Sequence, residues 1–150
     1  LRLTTTAQQE TLADIREDFL ELEQQDRLLL LLEFANELPD IPEEYEGHPE
    51  LQERVVECQS PVYIIVDVDD DNVVAMHATA PKEAPTTRGF ASILAQGLTG
   101  LSADEVLAIP DDYPQTIGLT KAVSALRIGG MTGMLMRAKR QVREKKHASV

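Results

Sequence analysis

A chain of 150 residues, 43% of them hydrophobic, is long enough to close one core without covalent staples, and a single cysteine excludes an intramolecular disulfide. The net charge of -12 is uneven: residues 1–60 hold 16 acidic against 4 basic side chains, whereas residues 121–150 hold 1 against 8. An acidic body lacks the cationic surface that nucleic acid requires, and no apolar run approaches the ~18 residues of a membrane span, so neither partner is expected. The default expectation is a cytoplasmic protein of a reducing compartment.

Residues 1–10 are polar and are expected to form a flexible N-terminal segment, with residues 11–150 making one domain. From Thr11, the apolar positions Leu12, Ile15, Phe19 and Leu22 fall at helical spacing. A second helix is predicted over residues 25–38. Its run Leu28 to Leu32, with Phe34 and Ala35, is apolar around much of the circumference and is expected deep in the core. Pro39 and Pro42 end it, and an acidic loop follows.

Val55 and Val56 read as a short strand that gives way to a polar bend, Gln59-Ser60-Pro61. Residues 62–68 and 73–79 are rich in β-branched side chains and flank Asp69-Asp70-Asp71-Asn72, which predicts a hairpin with a four-residue turn. Asp67, Asp69 and Asp71 have the alternate spacing of a calcium loop. Asn72 stands where that loop needs glycine and Ala78 where it needs glutamate, so the reading is turn chemistry and no metal.

Thr86 is the predicted cap of a helix carrying Phe90, Ile93, Leu94, Gly97 and Leu98, stopped by Gly100. Ser102 with Glu105 forms a capping box that opens a short helix ending before Pro110. The last helix is predicted over residues 127–146, with Met131, Met134, Leu135, Ala138 and Val142 as its buried stripe. Gly129 and Gly133, four apart, are expected to let a neighbouring element approach closely, and the basic end reads as a solvated face. Consecutive strands between groups of helices indicate an α+β fold: a small three-stranded antiparallel sheet packed on one side by helices.

No glycine-rich phosphate loop, paired-cysteine metal motif, His-Glu-x-x-His run or nucleophile elbow is present. What remains is Cys58, the only thiol, placed at the bend. A cysteine hydrolase would need a histidine base. His48 lies in a loop and His147 in the basic tail; His77, on a strand next to the cysteine-bearing region, is the one serious candidate, and a strand histidine reads first as a packed neighbour. A free thiol can instead attack and carry sulfur, for which the thiolate is the active form. Arg127 and Arg54 are the first cations to consider; Glu57 has the wrong sign, and a continued strand pleat would point it away from Cys58.

An ordered series runs along the chain: Phe19, Asp26-Arg27 and an apolar helix, then Leu38-Pro39 with Pro42-Glu43-Glu44-Tyr45. Next come Cys58-Gln59-Ser60 within residues 55–62, followed by Tyr63. Arg88-Gly89, Gly118-Leu119 and Ser124 with Arg127, Gly130, Met131 and Met134 complete it. With this series the chain from Leu12 to Val142 resembles the SufE family of sulfur acceptors and cysteine desulfurase activators, which usually has tryptophan at the position of Tyr63. Three departures stand out: Glu57 replaces a usual glycine, Pro61 a usual polar residue, and Ala125 a frequent proline.

The resemblance implies a fold shared with IscU-type scaffolds and a sulfur relay. Cys58 would be the persulfide carrier, supported by Gln59, Ser60 and Arg127, on a loop that hides the thiol and swings out to a partner. The partners implied are a cysteine desulfurase, which supplies the pyridoxal phosphate, and an iron–sulfur scaffold as sulfur recipient. The chain itself would hold no cofactor and would be a monomer or weak homodimer, a transfer partner rather than a stand-alone enzyme. Rival readings are a cluster scaffold, which commonly needs three thiolates, and a passive interaction module.

Overall fold

The computed structural model describes residues 11–148; the expected flexible segment 1–10 lies outside them. Helix α1 (Leu12–Glu21) starts at Thr11, whose hydroxyl accepts from the Asp14 amide while the Asp14 carboxylate accepts from the Thr11 amide. The reciprocal bonds satisfy two amides that the first turn leaves open. Leu12, Ile15 and Phe19 are buried, and Leu22 is the C-cap rather than a further helical position.

Helix α2 (Gln24–Glu37) buries Leu30, Leu31, Phe34 and Ala35, with the rings of Phe34 and Phe19 stacked at 5.9 Å between centroids. Leu28 and Leu29 are 37% and 53% exposed, so the helix is not buried all round as its composition predicts. A run of five residues exceeds one 3.6-residue turn and must present leucine to every side, including sides that no described element covers.

The sheet has the order β1-β2-β3, antiparallel throughout, from β1 (Glu53–Arg54), β2 (Tyr63–Val68) and β3 (Val74–Thr79). One face carries Ile64, Val66, Val74, Met76 and Ala78, all buried in the core shared with the helices. On the other, Tyr45 reaches back from the loop after α2: its hydroxyl bonds Asp67, and its ring lies 5.8 Å from that of His77. His77 Nε2 is 3.3 Å from Asp67, so this histidine is occupied within the sheet face. In the β2–β3 turn, Asp69 accepts from the amides of Asp71 at 2.9 Å and Val73 at 2.8 Å, and Asn72 takes φ 61°. The aspartates serve the turn, as their spacing allows.

Helix α3 (Pro85–Leu98) is the centre of the molecule, packed on α1, α2, β3 and the last helix. It begins at Pro85 with no side-chain cap, which corrects the assignment of Thr86: proline lacks the amide a cap would satisfy and its φ already suits a first turn. Helix α4 (Ala103–Leu107) has the predicted Ser102–Glu105 box. Helix α5 (Tyr113–Thr116) follows, and its buried Tyr113 hydroxyl donates to Leu12 O at 2.6 Å. Tyr113→Phe should therefore lower stability by about 1 kcal/mol, read as a shift in urea midpoint at unchanged slope; an unchanged midpoint would show that this bond contributes nothing.

Helix α6 (Ala125–Lys145) buries the predicted stripe Met131, Met134, Leu135, Ala138 and Val142. Its basic residues are not merely a solvated face. Lys139 is 4% exposed and pairs with Asp111 at 2.7 Å, while Arg137 and Arg140 both pair with Glu53 of β1. Beyond the two-residue β1, the outer edge of β2 would be bare. There the Gln141 side chain accepts from the Val66 amide at 2.9 Å and the Lys145 ammonium donates to the Val66 carbonyl, blocking pairing with another strand. No described helix is long and apolar enough to cross a membrane.

Candidate functional site at the tip of the first hairpin

Cys58 lies in the connection between β1 and β2. The predicted strand Val55-Val56 is corrected: the ladder stops at Arg54, Val55 is fully buried and donates to Val62 O at 2.9 Å, and Val56 is turned out, 69% exposed. The Val55–Val62 bond closes a loop over residues 56–61, and the Cys58 amide donates to Val55 O at 3.1 Å. The loop folds back so that Cys58 is 6% exposed and unpaired with any other thiol.

The surface beneath the loop is α6. A Cβ on Gly130 would come within 3.0 Å of the Cys58 sulfur, and one on Gly133 within 2.7 Å of the Glu57 carboxyl carbon. The close approach predicted for Gly129 and Gly133 is thus made by Gly130 and Gly133, since nothing lies within 4 Å of a Cβ at Gly129. Three-residue spacing puts Gly130 and Gly133 on one helix face, where two consecutive loop residues can sit side by side. Glu57 does not point away from Cys58 as a continued pleat would require; the backbone turns at residue 56 and both side chains rest on α6.

Cys58 borders a cavity of about 590 Å³ between the loop and the first turns of α3 and α6. Gln59, Ser60 and Arg127 all line it, as do Ser124, the exposed Leu126 and the partly exposed Leu28. The Ser124 hydroxyl caps α6 by accepting from the Arg127 amide at 3.3 Å. The three supporting residues predicted for Cys58 are therefore brought to one cavity, but none makes a side-chain hydrogen bond or ion pair among the described residues. His77 and His48 do not line it.

The thiol is pushed above its ordinary range, first by burial and then by the Glu57 carboxylate, against the opposing pull of Arg137 and Arg54. Arg54 is as the sequence suggests; Arg137 takes the part assigned there to Arg127. A thiol whose pKa is raised by folding contributes stability below its unfolded pKa, and that stability is lost as pH rises through the raised value. Ultraviolet titration of the thiolate should show a midpoint above the ~8.5 of a free cysteine. A midpoint below that would mean that the cations outweigh burial.

A family profile described as "SufE: Fe-S metabolism associated domain" matches residues 13–142. The chain belongs to the SufE family. An uncharacterized SufE-like protein of Mycobacterium tuberculosis is 51% identical over 133 residues, covering 89% of this chain and 92% of the relative. SufE-like protein 1, chloroplastic/mitochondrial, of Arabidopsis thaliana is 30% identical over 84 residues, 56% of this chain and 22% of that protein. The solution structure of a hypothetical protein from Thermus thermophilus superposes with a TM-score of 0.78 at 35% identity, covering 89% of this chain and 94% of that one. SufE membership accounts for the α+β fold and associates the chain with iron–sulfur metabolism.

Several residues that carry the SufE resemblance turn out to be fastenings of the fold. Arg27 donates to the carbonyls of Leu22 at 3.0 Å, Gly118 at 3.0 Å and Leu20 at 3.2 Å. Arg88 likewise donates to Ala35 O at 2.9 Å and Ala80 O at 2.6 Å. Sequence reasoning missed Arg137, Gly130 and Gly133 as parts of the Cys58 site. The signal available was the helical register of α6, which places 130, 133 and 137 on one face.

Proposed function

We propose that this SufE-family protein accepts sulfur from the persulfide of a cysteine desulfurase, carries it on Cys58 and delivers it to iron–sulfur cluster assembly. The observation that carries the reading is the placement of the chain's single cysteine: at the tip of a hairpin loop, nearly buried, bordering a cavity with exposed apolar lips. A loop closed at its base by the Val55–Val62 bond can turn such a tip outward.

The chemistry is thiol exchange. The Cys58 thiol gives its proton to solvent, and the thiolate attacks the outer sulfur of the donor persulfide. The donor's S–S bond breaks, its cysteine leaves as a thiolate, and a new S–S bond makes Cys58 a persulfide with no net oxidation. A second attack, by a thiol of the recipient, repeats the exchange. Leu28 and Leu126 offer apolar surface beside the cavity for a partner, and Arg127 at its lining supplies positive charge for an anionic outer sulfur. The pyridoxal phosphate that releases sulfur from cysteine belongs to the desulfurase, and the carrier needs no cofactor of its own. Holding a cluster as a scaffold would take several thiolates, and the chain has one cysteine.

The direct test is to incubate the protein with a cysteine desulfurase and L-cysteine and weigh it intact. One added sulfur, removed by reductant and located at Cys58, is expected. Sulfide production unaffected by the protein, together with no mass gain, would sink the proposal.

A further inference from the structure

We propose that Glu57 and Arg137 form a latch that holds the Cys58 loop closed, so that parting of this ion pair is the step that exposes the thiol. The use of that step in sulfur transfer rests on the relay reading above; the latch itself does not.

Three observations support it. Among the described residues, Glu57 is the only side chain of residues 56–61 that makes a hydrogen bond or ion pair with the rest of the protein. Its carboxylate lies 2.5 Å from the Arg137 guanidinium through one oxygen and 2.7 Å through the other. Second, the guanidinium is also held by a residue outside the loop. Arg137 is held to Glu53 at 3.4 Å, and Glu53 is bound in turn by Gln141 at 2.8 Å and by Arg140. An anchor already ordered loses little further freedom when the loop docks. Third, Glu57 and Cys58 share a seat on α6, against Gly133 and Gly130 respectively. Because the two residues are consecutive, lifting the carboxylate off Gly133 draws the sulfur away from Gly130.

The strength of the pair suits a closure that must also open. The Arg137 side chain is 18% exposed and that of Glu57 44%. A partly solvated pair of this kind changes an equilibrium by about five-fold, equivalent to about 1 kcal/mol, whereas a fully buried one would lock the loop. Arg137 holds the Glu57 carboxyl below the usual carboxylate range, so the pair stays charged at neutral pH.

The experiment measures the rate of Cys58 alkylation by iodoacetamide across pH in the intact protein, without any desulfurase. In such a profile, electrostatic effects on the thiol move the midpoint, while access sets the limiting rate at high pH. Glu57→Gln, Arg137→Gln and Gly133→Ala should each raise the limiting rate about five-fold. High salt should accelerate the wild type and leave Glu57→Gln unchanged. Glu57 lies on a partly exposed loop, so its variant tests the latch even if Arg137→Gln or Gly133→Ala folds poorly. Limiting rates in Glu57→Gln equal to wild type would overturn the latch, as would acceleration confined to Arg137→Gln. If sulfur transfer fails while alkylation responds as expected, the relay reading falls and the latch stands; the reverse result removes the latch alone.

Discussion

Cys58→Ser is expected to abolish the mass gain entirely and to reduce desulfurase stimulation to the level seen without the protein. The exchange has no substitute nucleophile, because the chain contains no other thiol. A serine hydroxyl is not an effective nucleophile toward a persulfide sulfur without a base to activate it, and no histidine lines the cavity. The fold should survive. Serine is close to cysteine in shape, and the site sits at a loop tip rather than between helices, so the cost of burying its hydroxyl is about 1 kcal/mol. Thermal unfolding of the variant near that of wild type would separate lost chemistry from lost structure. Cys58→Ala sharpens the result: stimulation that survives it would make the protein a docking module whose cysteine is passive.

Gly89→Ala should produce a clear loss of stability, because the added carbon meets backbone rather than only a movable side chain. A Cβ there would come within 2.6 Å of the Leu31 carbonyl oxygen and 2.7 Å of Leu31 Cδ1. The side chain of Leu31 could turn aside, but its carbonyl belongs to the backbone of α2 and cannot move alone. The two helices must part along the contact that carries Arg88, whose guanidinium joins the Ala35 carbonyl to that of Ala80. Overpacking of this kind costs about 1–3 kcal/mol, from which the better helix propensity of alanine recovers up to about 1 kcal/mol. A urea midpoint equal to or above wild type would show that α2 and α3 have slack that the structure does not suggest. By contrast, Gly130→Ala presses on the Cys58 loop, which can move, and should alter thiol access more than stability.

Much of this architecture is legible along the chain because burial follows local period. Leu12, Ile15 and Phe19, or Met131, Met134, Leu135, Ala138 and Val142, recur at helical spacing because one side of each helix faces the core. The capping box at Ser102 and the turn at Asp69 are likewise complete within a few residues. Local period fails where a residue's fate depends on a distant neighbour. Leu29 is exposed because no described element covers that side of α2, and Val56 is outside the ladder because the hairpin bends to bring Cys58 onto α6.

The basic end of the chain is the clearest case of this kind. Lys139, Arg137 and Arg140 look solvated in sequence, yet they bind acids 28, 80 and 87 positions away. The same limit applies to the thiol site. The nucleophile can be read from the chain alone, since there is one cysteine, and so can the loop that carries it, since a polar break with proline separates two apolar runs. That the loop closes over Gly130 and Gly133, and that Arg137 rather than Arg127 pairs with Glu57, follows from the packing of distant elements. The reason is that α6 crosses the hairpin at a position set by packing against the sheet and α3, and charge interactions depend on that distance rather than on separation along the chain.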